Sequence, residues 1–101
     1  MLAELSIFPT DKGESVSKYV AEVVKYIGEE CRRKGMGYET NSMATIIEGN
    51  PRDVWEIIIG CHNFMGASSS RYYSVIKIDD RKGRTNAIVE KKAKIEQLIN
   101  R

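Results

Sequence analysis

The chain has 101 residues, 16 Lys and Arg against 14 Asp and Glu, and a formal charge of +2; 42% of it is hydrophobic and 30% charged. One domain spanning residues 1–101 is expected, because chains divide into domains only well above this size. The composition argues against a disordered or membrane-spanning chain, and the positive excess is too small to suggest a polyanion binder by itself.

The first predicted element is a strand over Leu2–Phe8, closed by Pro9. Its alternation places Ala3, Leu5 and Ile7 on one face and Leu2, Glu4, Ser6 and Phe8 on the other. Glu4, Asp11 and Lys12 interrupt the N-terminal region, so neither an apolar leader nor an acid-poor transit pattern is present, and a cytoplasmic location is expected. A long helix follows over Ser15–Lys34. Val16, Val20, Val23, Ile27 and Cys31 form its inward stripe, Ser15 or Ser17 offers a cap, and Gly35 stops it.

Tyr38–Thr40 and Met43–Glu48 read as two strands joined through Asn41 and Ser42, a short connection that implies an antiparallel hairpin. Met43, Thr45 and Ile47 alternate with Ala44, Ile46 and Glu48, and the pattern does not decide which set is inside. Asn50-Pro51 begins the second helix, with Asp53 in its first turn and Gly66 at its end. Val54, Ile57, Ile58, Cys61 and Met65 point inward, while Trp55 and Ile59 widen the apolar surface. Arg71–Asp79 is the last strand. A turn at 80–83 leads to a final helix, capped by Thr85 and carrying Ile88, Ile95, Leu98 and Ile99.

This order predicts an α+β fold, a ferredoxin-like βαββαβ sandwich with an additional C-terminal helix. Both main helices cover one sheet face, leaving the other open. On that open face Glu4 and Lys77 come within reach of each other, and Leu2, Phe8, Tyr73 and Val75 make it apolar. With Trp55 and Ile59, this is more exposed apolar surface than a small monomer carries, so a homo-oligomer is expected. Cys31 and Cys61 fall on inward helical faces and are expected to be buried free thiols. His62 neighbours Cys61 about 100° around the helix, so the two do not converge on a metal ion, and no metal or cofactor is expected.

Four stretches together carry a resemblance: Ser15-Val-Ser-Lys-Tyr-Val-Ala-Glu22, Met43-Ala-Thr-Ile-Ile-Glu-Gly49, Cys61-His62 and Ile76-Lys-Ile-Asp-Asp-Arg81. In this order and spacing the chain resembles the small thiamine-binding-protein family, formerly an uncharacterised protein family. The resemblance implies a ferredoxin-like subunit assembled as a homodimer or homotetramer. It also implies binding of thiamine or its hydroxymethylpyrimidine part, with no catalysed reaction. At the position of Ala44 the family pattern often has Gly.

An aminopyrimidine presents an exocyclic amine beside ring-nitrogen acceptors and needs a slot for its ring. The matching stretches and their neighbours offer Glu48 or Asp79 as acceptors, Ser6, Asn41 and Thr45 as adaptable partners, and Met43 or a tyrosine as wall. These five polar residues are the candidate ligand site. The thiazolium of thiamine would favour a carboxylate nearby. An enzyme is not expected: no nucleophile–base pair stands out, and Thr10-Asp-Lys-Gly13 makes a poor phosphate cradle. The alternative is a nucleic-acid or protein interaction module using the open sheet face. Phe8 and Tyr73 could stack bases there, but Glu4 and Asp79 would repel phosphate, so no nucleic-acid partner is expected.

Overall fold

The computed structural model describes residues 1–83 and 85–100. In chain order the elements are β1 (Leu2–Pro9), α1 (Val16–Lys34), β2 (Gly37–Thr40), β3 (Thr45–Glu48), α2 (Pro51–Gly66), β4 (Tyr72–Asp79) and α3 (Ala87–Ile99). This is an α+β fold with a four-stranded antiparallel sheet, order β2-β3-β1-β4, and three helices, an arrangement consistent with the ferredoxin-like fold.

Alternation and periodicity build one core. Ala3, Leu5 and Ile7 of β1 and Ile47 of β3 meet Val23, Ile27 and Cys31 of α1 and Val54, Ile57, Ile58, Cys61 and Met65 of α2. The register Leu5↔Thr45 settles the facing of the third strand: Thr45 and Ile47 point to the helices, Ile46 and Glu48 to the other face. That strand is shorter than its hydrophobic pattern implies. Asn41 Oδ1 accepts hydrogen bonds from the amides of Met43 (2.8 Å) and Ala44 (3.0 Å), which fold these residues into a turn.

α1 carries no side-chain cap from Ser15; it ends at Gly35, whose φ of 68° suits a residue without Cβ. Its C-terminal end is tied to α2 by Lys34, which lies 2.8 Å from Glu56 and 3.5 Å from Asp53. Asn50 caps α2 by accepting from the Asp53 amide, and Pro51 occupies the first turn. Gly66 lies within that helix, which is closed by Ala67. The two helices approach closely because Gly60 leaves space that the Tyr26 hydroxyl fills; a Cβ there would collide with it. Cys31 and Cys61 are fully buried free thiols.

The sheet's second face is not wholly open. α3 lies over Leu2, Glu39 and Ile46, and Lys91 and Lys92 reach Asp79 (2.7 Å) and Glu39 (3.7 Å). The cap of α3 also differs from expectation. Asn86, not Thr85, precedes the first turn, with φ 54° and no side-chain bond to the helix. The free amides of Ala87 and Ile88 are taken instead by the Glu48 carboxylate, at 2.6 and 3.3 Å. From Val89 to Asn100 every residue of this segment is exposed.

Candidate ligand-binding pocket

β1 pairs with β4 along its whole length, from Leu2↔Asp79 to Pro9↔Tyr72. It pairs with β3 only from Leu2 to Leu5, because β3 departs into the Asn41–Ala44 turn at Thr45. From Ser6 to Phe8 that edge of β1 therefore has no strand beside it. A cavity of about 110 Å³ opens there. β1 supplies Leu5–Phe8, the turn supplies Asn41–Ala44 with Thr40 and Thr45, and Val20, Val23, Val24 and Ile27 of α1 form the opposite wall.

The polar groups lie on the strand-and-turn side. Thr45 is buried and its hydroxyl lies 3.1 Å from that of Thr40. Asn41 spends its oxygen on the turn, which leaves its Nδ2 donor without a protein partner among the described residues. Ser6 borders the cavity at the unpaired edge, although it lies on the opposite face of β1 from Leu5 and Ile7. Met43, 82% exposed, stands at the rim. No ionisable side chain borders the cavity. It offers hydroxyls, one amide donor and strand backbone on one side and branched aliphatic carbon on the other, which is the environment of a small neutral ring.

The five residues selected from sequence divide into two groups. Ser6, Asn41 and Thr45 border this cavity together. Glu48 and Asp79 do not reach it. They sit at the other end of the sheet, both opposite Leu2; Thr45 and Glu48 are three residues apart, about 10 Å at the usual strand rise. Glu48 is engaged with the start of α3 and Asp79 with Lys91. A carboxylate acceptor is therefore missing from the cavity, contrary to expectation. The α1 wall is an addition. Val20 and Val24 are only half-buried, and that incomplete burial beside the hairpin distinguishes them from core positions.

Elsewhere His62 packs rather than forming a reactive group: its Nε2 is 3.1 Å from the Ser74 hydroxyl and its ring meets Tyr72 edge-on. Phe8 and Tyr73 touch on the second sheet face, centroids 5.6 Å apart, beside the Glu4–Lys77 pair at 3.8 Å. Among the described residues there is no group of three or more His, Cys, Asp or Glu placed to hold a metal, and no helix long and apolar enough to cross a membrane.

A family model described as thiamine-binding protein matches residues 3–96. The chain is 35% identical to a UPF0045 protein of Methanocaldococcus jannaschii over 98 residues, covering 97% of this chain and 94% of that one. It is 30% identical to a UPF0045 protein of Mycobacterium bovis, covering all of this chain and 96% of that one. A crystal structure of the Methanocaldococcus protein superposes with a TM-score of 0.78 at 33% identity, over 95% of this chain and 94% of that one. A Thermotoga maritima protein, whose proposed role is thiamine biosynthesis or salvage, shares the fold with a TM-score of 0.69 at 18% identity, over 94% and 96% of the two chains.

Proposed function

The chain belongs to the thiamine-binding-protein family, and we propose that it binds thiamine, or the hydroxymethylpyrimidine part of it, in the cavity beside Ser6–Phe8, without catalysing a reaction. The observation that carries this reading is an uncharged cavity with hydrogen-bonding groups on one wall and α1 valines on the other. An enclosed apolar cavity of about 150 Å³ accepts a benzene ring. At about 110 Å³ and open to solvent, this cavity suits one six-membered ring with its substituents at the mouth. The pyrimidine is the half of thiamine that matches. The thiazolium, a cation, finds no carboxylate in the lining and lies outside.

The roles follow from the groups available. Asn41 Nδ2 donates to a ring nitrogen, the Thr45 and Ser6 hydroxyls adapt to the exocyclic amine or hydroxymethyl group, and Val20 and Val24 cover the ring face. We assign the core to the ferredoxin-like fold and the protein to a homodimer or homotetramer. The exposed Trp55, Ile59, Tyr73 and Val75, with Ile95, Leu98 and Ile99 of α3, support self-association. The nucleic-acid or protein-interaction alternative has less support, since α3 and the Glu4–Lys77 pair interrupt the sheet face it needs.

Calorimetric titration with hydroxymethylpyrimidine and with thiamine tests the reading. Both are expected to bind, with little dependence on salt, because no charged side chain lines the cavity. Absence of heat from either ligand overturns it.

A further inference from the structure

Hydrogen-bond alternation fixes which way the backbone of each β1 residue points. Met1 and Gly49 exchange both backbone bonds: the Met1 nitrogen is 2.8 Å from the Gly49 carbonyl, and the Gly49 amide is 3.1 Å from the Met1 carbonyl. Bonded and unbonded pairs alternate along an antiparallel ladder. In the register Ala3↔Ile47 and Leu5↔Thr45, the odd-numbered residues of β1 therefore turn N–H and C=O toward β3. The even-numbered ones turn theirs toward β4, and in the same series the Thr10 amide donates to the Arg71 carbonyl at 2.8 Å.

Ile7 is next in the odd series, and the residue that would oppose it is Met43. Met43 does not pair with it: its amide is 2.8 Å from Asn41 Oδ1 in the turn, and its side chain is exposed. The N–H and C=O of Ile7 thus face the cavity with no protein partner among the described residues. Ile7 is itself buried. A buried backbone donor and acceptor left unmatched are costly, and native proteins pair almost all of them.

We propose that these two main-chain groups read the ligand: Ile7 N–H donates to a ring nitrogen, and Ile7 C=O accepts from an exocyclic amine beside it. The proposal rests on the cavity reading above and names the chemical class that the cavity takes, a neutral planar ring with an amine on the carbon next to a ring nitrogen. The N–H and C=O of one extended residue lie side by side and point the same way, so an adjacent acceptor and donor on a ring edge meet both. An aminopyrimidine has that edge. Its second ring nitrogen is left for Asn41 Nδ2, and its hydroxymethyl group for the side-chain hydroxyls.

The walls agree with this pose. Hydrogen bonds to a strand edge lie near the plane of the sheet, so the ring takes the place of the absent β3 residue and turns its face to α1. Val20 and Val24 of α1 stand on that side of the cavity. An extended peptide fits the edge less well. The next odd residue is Pro9, which has no N–H, so an added strand finds one donor and then none. In the other direction Leu5 is already paired with Thr45. The free edge is one residue long, which suits a single ring.

Nuclear magnetic resonance of the wild type with isotope-labelled hydroxymethylpyrimidine tests this directly. The Ile7 amide proton should move downfield and show scalar coupling to the ring nitrogen across the hydrogen bond. A semisynthetic protein with an ester in place of the Ser6–Ile7 amide lacks the Ile7 N–H. Its affinity for hydroxymethylpyrimidine should fall by at least about tenfold, with far-UV dichroism unchanged, because the exchange removes no donor from the ladder. The ligand analogue without the exocyclic amine should bind the wild type at least about tenfold more weakly. Binding that leaves the Ile7 amide resonance unmoved, or that is undiminished in the ester or for the analogue, overturns main-chain recognition alone. No binding of hydroxymethylpyrimidine to the wild type overturns the cavity reading with it.

Discussion

The carboxylate of Glu48 lies 2.6 Å from the backbone nitrogen of Ala87, 39 positions later in the chain. A side chain at the end of β3 thereby supplies the cap that Asn86, in a left-handed conformation, does not. Helix N-termini leave amides unsatisfied and favour negative charge, and Glu48 answers both needs. Beyond Ile88 every residue of α3 is exposed, so this contact, the burial of Ala87 and half-burial of Ile88 and the Lys91 and Lys92 ion pairs hold the helix to the sheet.

Replacing Glu48 by alanine should therefore loosen α3 rather than empty the ligand cavity. A lost N-terminal cap costs about 1–2 kcal/mol. Hydrogen exchange should show α3 amides losing protection while β1 and α1 keep theirs. Equal protection of α3 in wild type and Glu48→Ala would remove this role.

Asp11 clasps the loop before α1 to the loop before β4. It accepts from the Ser69 hydroxyl (2.6 Å) and from the Ser70 amide and hydroxyl (both 2.8 Å). These donors, led by Ser69, hold its carboxyl well below the ordinary value of 3.8. A carboxylate whose folded pKa is lowered contributes stability that is complete above its unfolded pKa and is lost as pH falls through the folded one. The contribution is thus present above about pH 4 and declines below it. Asp11→Asn should lower stability at neutral pH and flatten the acid limb of a pH–stability curve. Parallel curves for the two proteins would contradict this.

Burial pushes the Cys31 thiol up to about 11 and the Cys61 thiol to about 12, from 9.0. The thiolate is the reactive form, so both residues should resist alkylation near pH 8 and react at once in denaturant. Because the folded state holds these protons more tightly, their contribution to stability is full below pH 9 and is lost as pH rises toward 11–12. Rapid labelling of both thiols in the native protein would show that the core opens.

The order of elements was legible because each element carries its own period: Ala3, Leu5 and Ile7 alternate, and Val20, Val23 and Ile27 recur at helical spacing. The facing of β3 was not, since Met43, Thr45 and Ile47 are no more apolar than Ala44, Ile46 and Glu48. It is decided by a non-local pairing, Leu5 opposite Thr45. The start of β3 differs from its hydrophobic pattern for a local reason, the Asn41 side chain gathering the Met43 and Ala44 amides. The covering of the open face by α3 depends on contacts to Glu48, Asp79 and Glu39, far away in sequence. At the cavity, Ser6, Asn41 and Thr45 stood out as polar groups in strands and a turn. Val20 and Val24 did not, because a half-buried valine on a helix repeats the pattern of the core.

The decisive measurement is calorimetric titration of hydroxymethylpyrimidine into the wild type, Val24→Phe and Glu48→Gln. Val24→Phe fills the cavity from the α1 wall, while Glu48 lies outside the lining. The account predicts binding by the wild type, a loss of at least about tenfold (about 1.4 kcal/mol) in Val24→Phe, and near-wild-type affinity in Glu48→Gln. Undiminished binding in Val24→Phe together with a marked loss in Glu48→Gln would contradict it and move the ligand to the opposite end of the sheet.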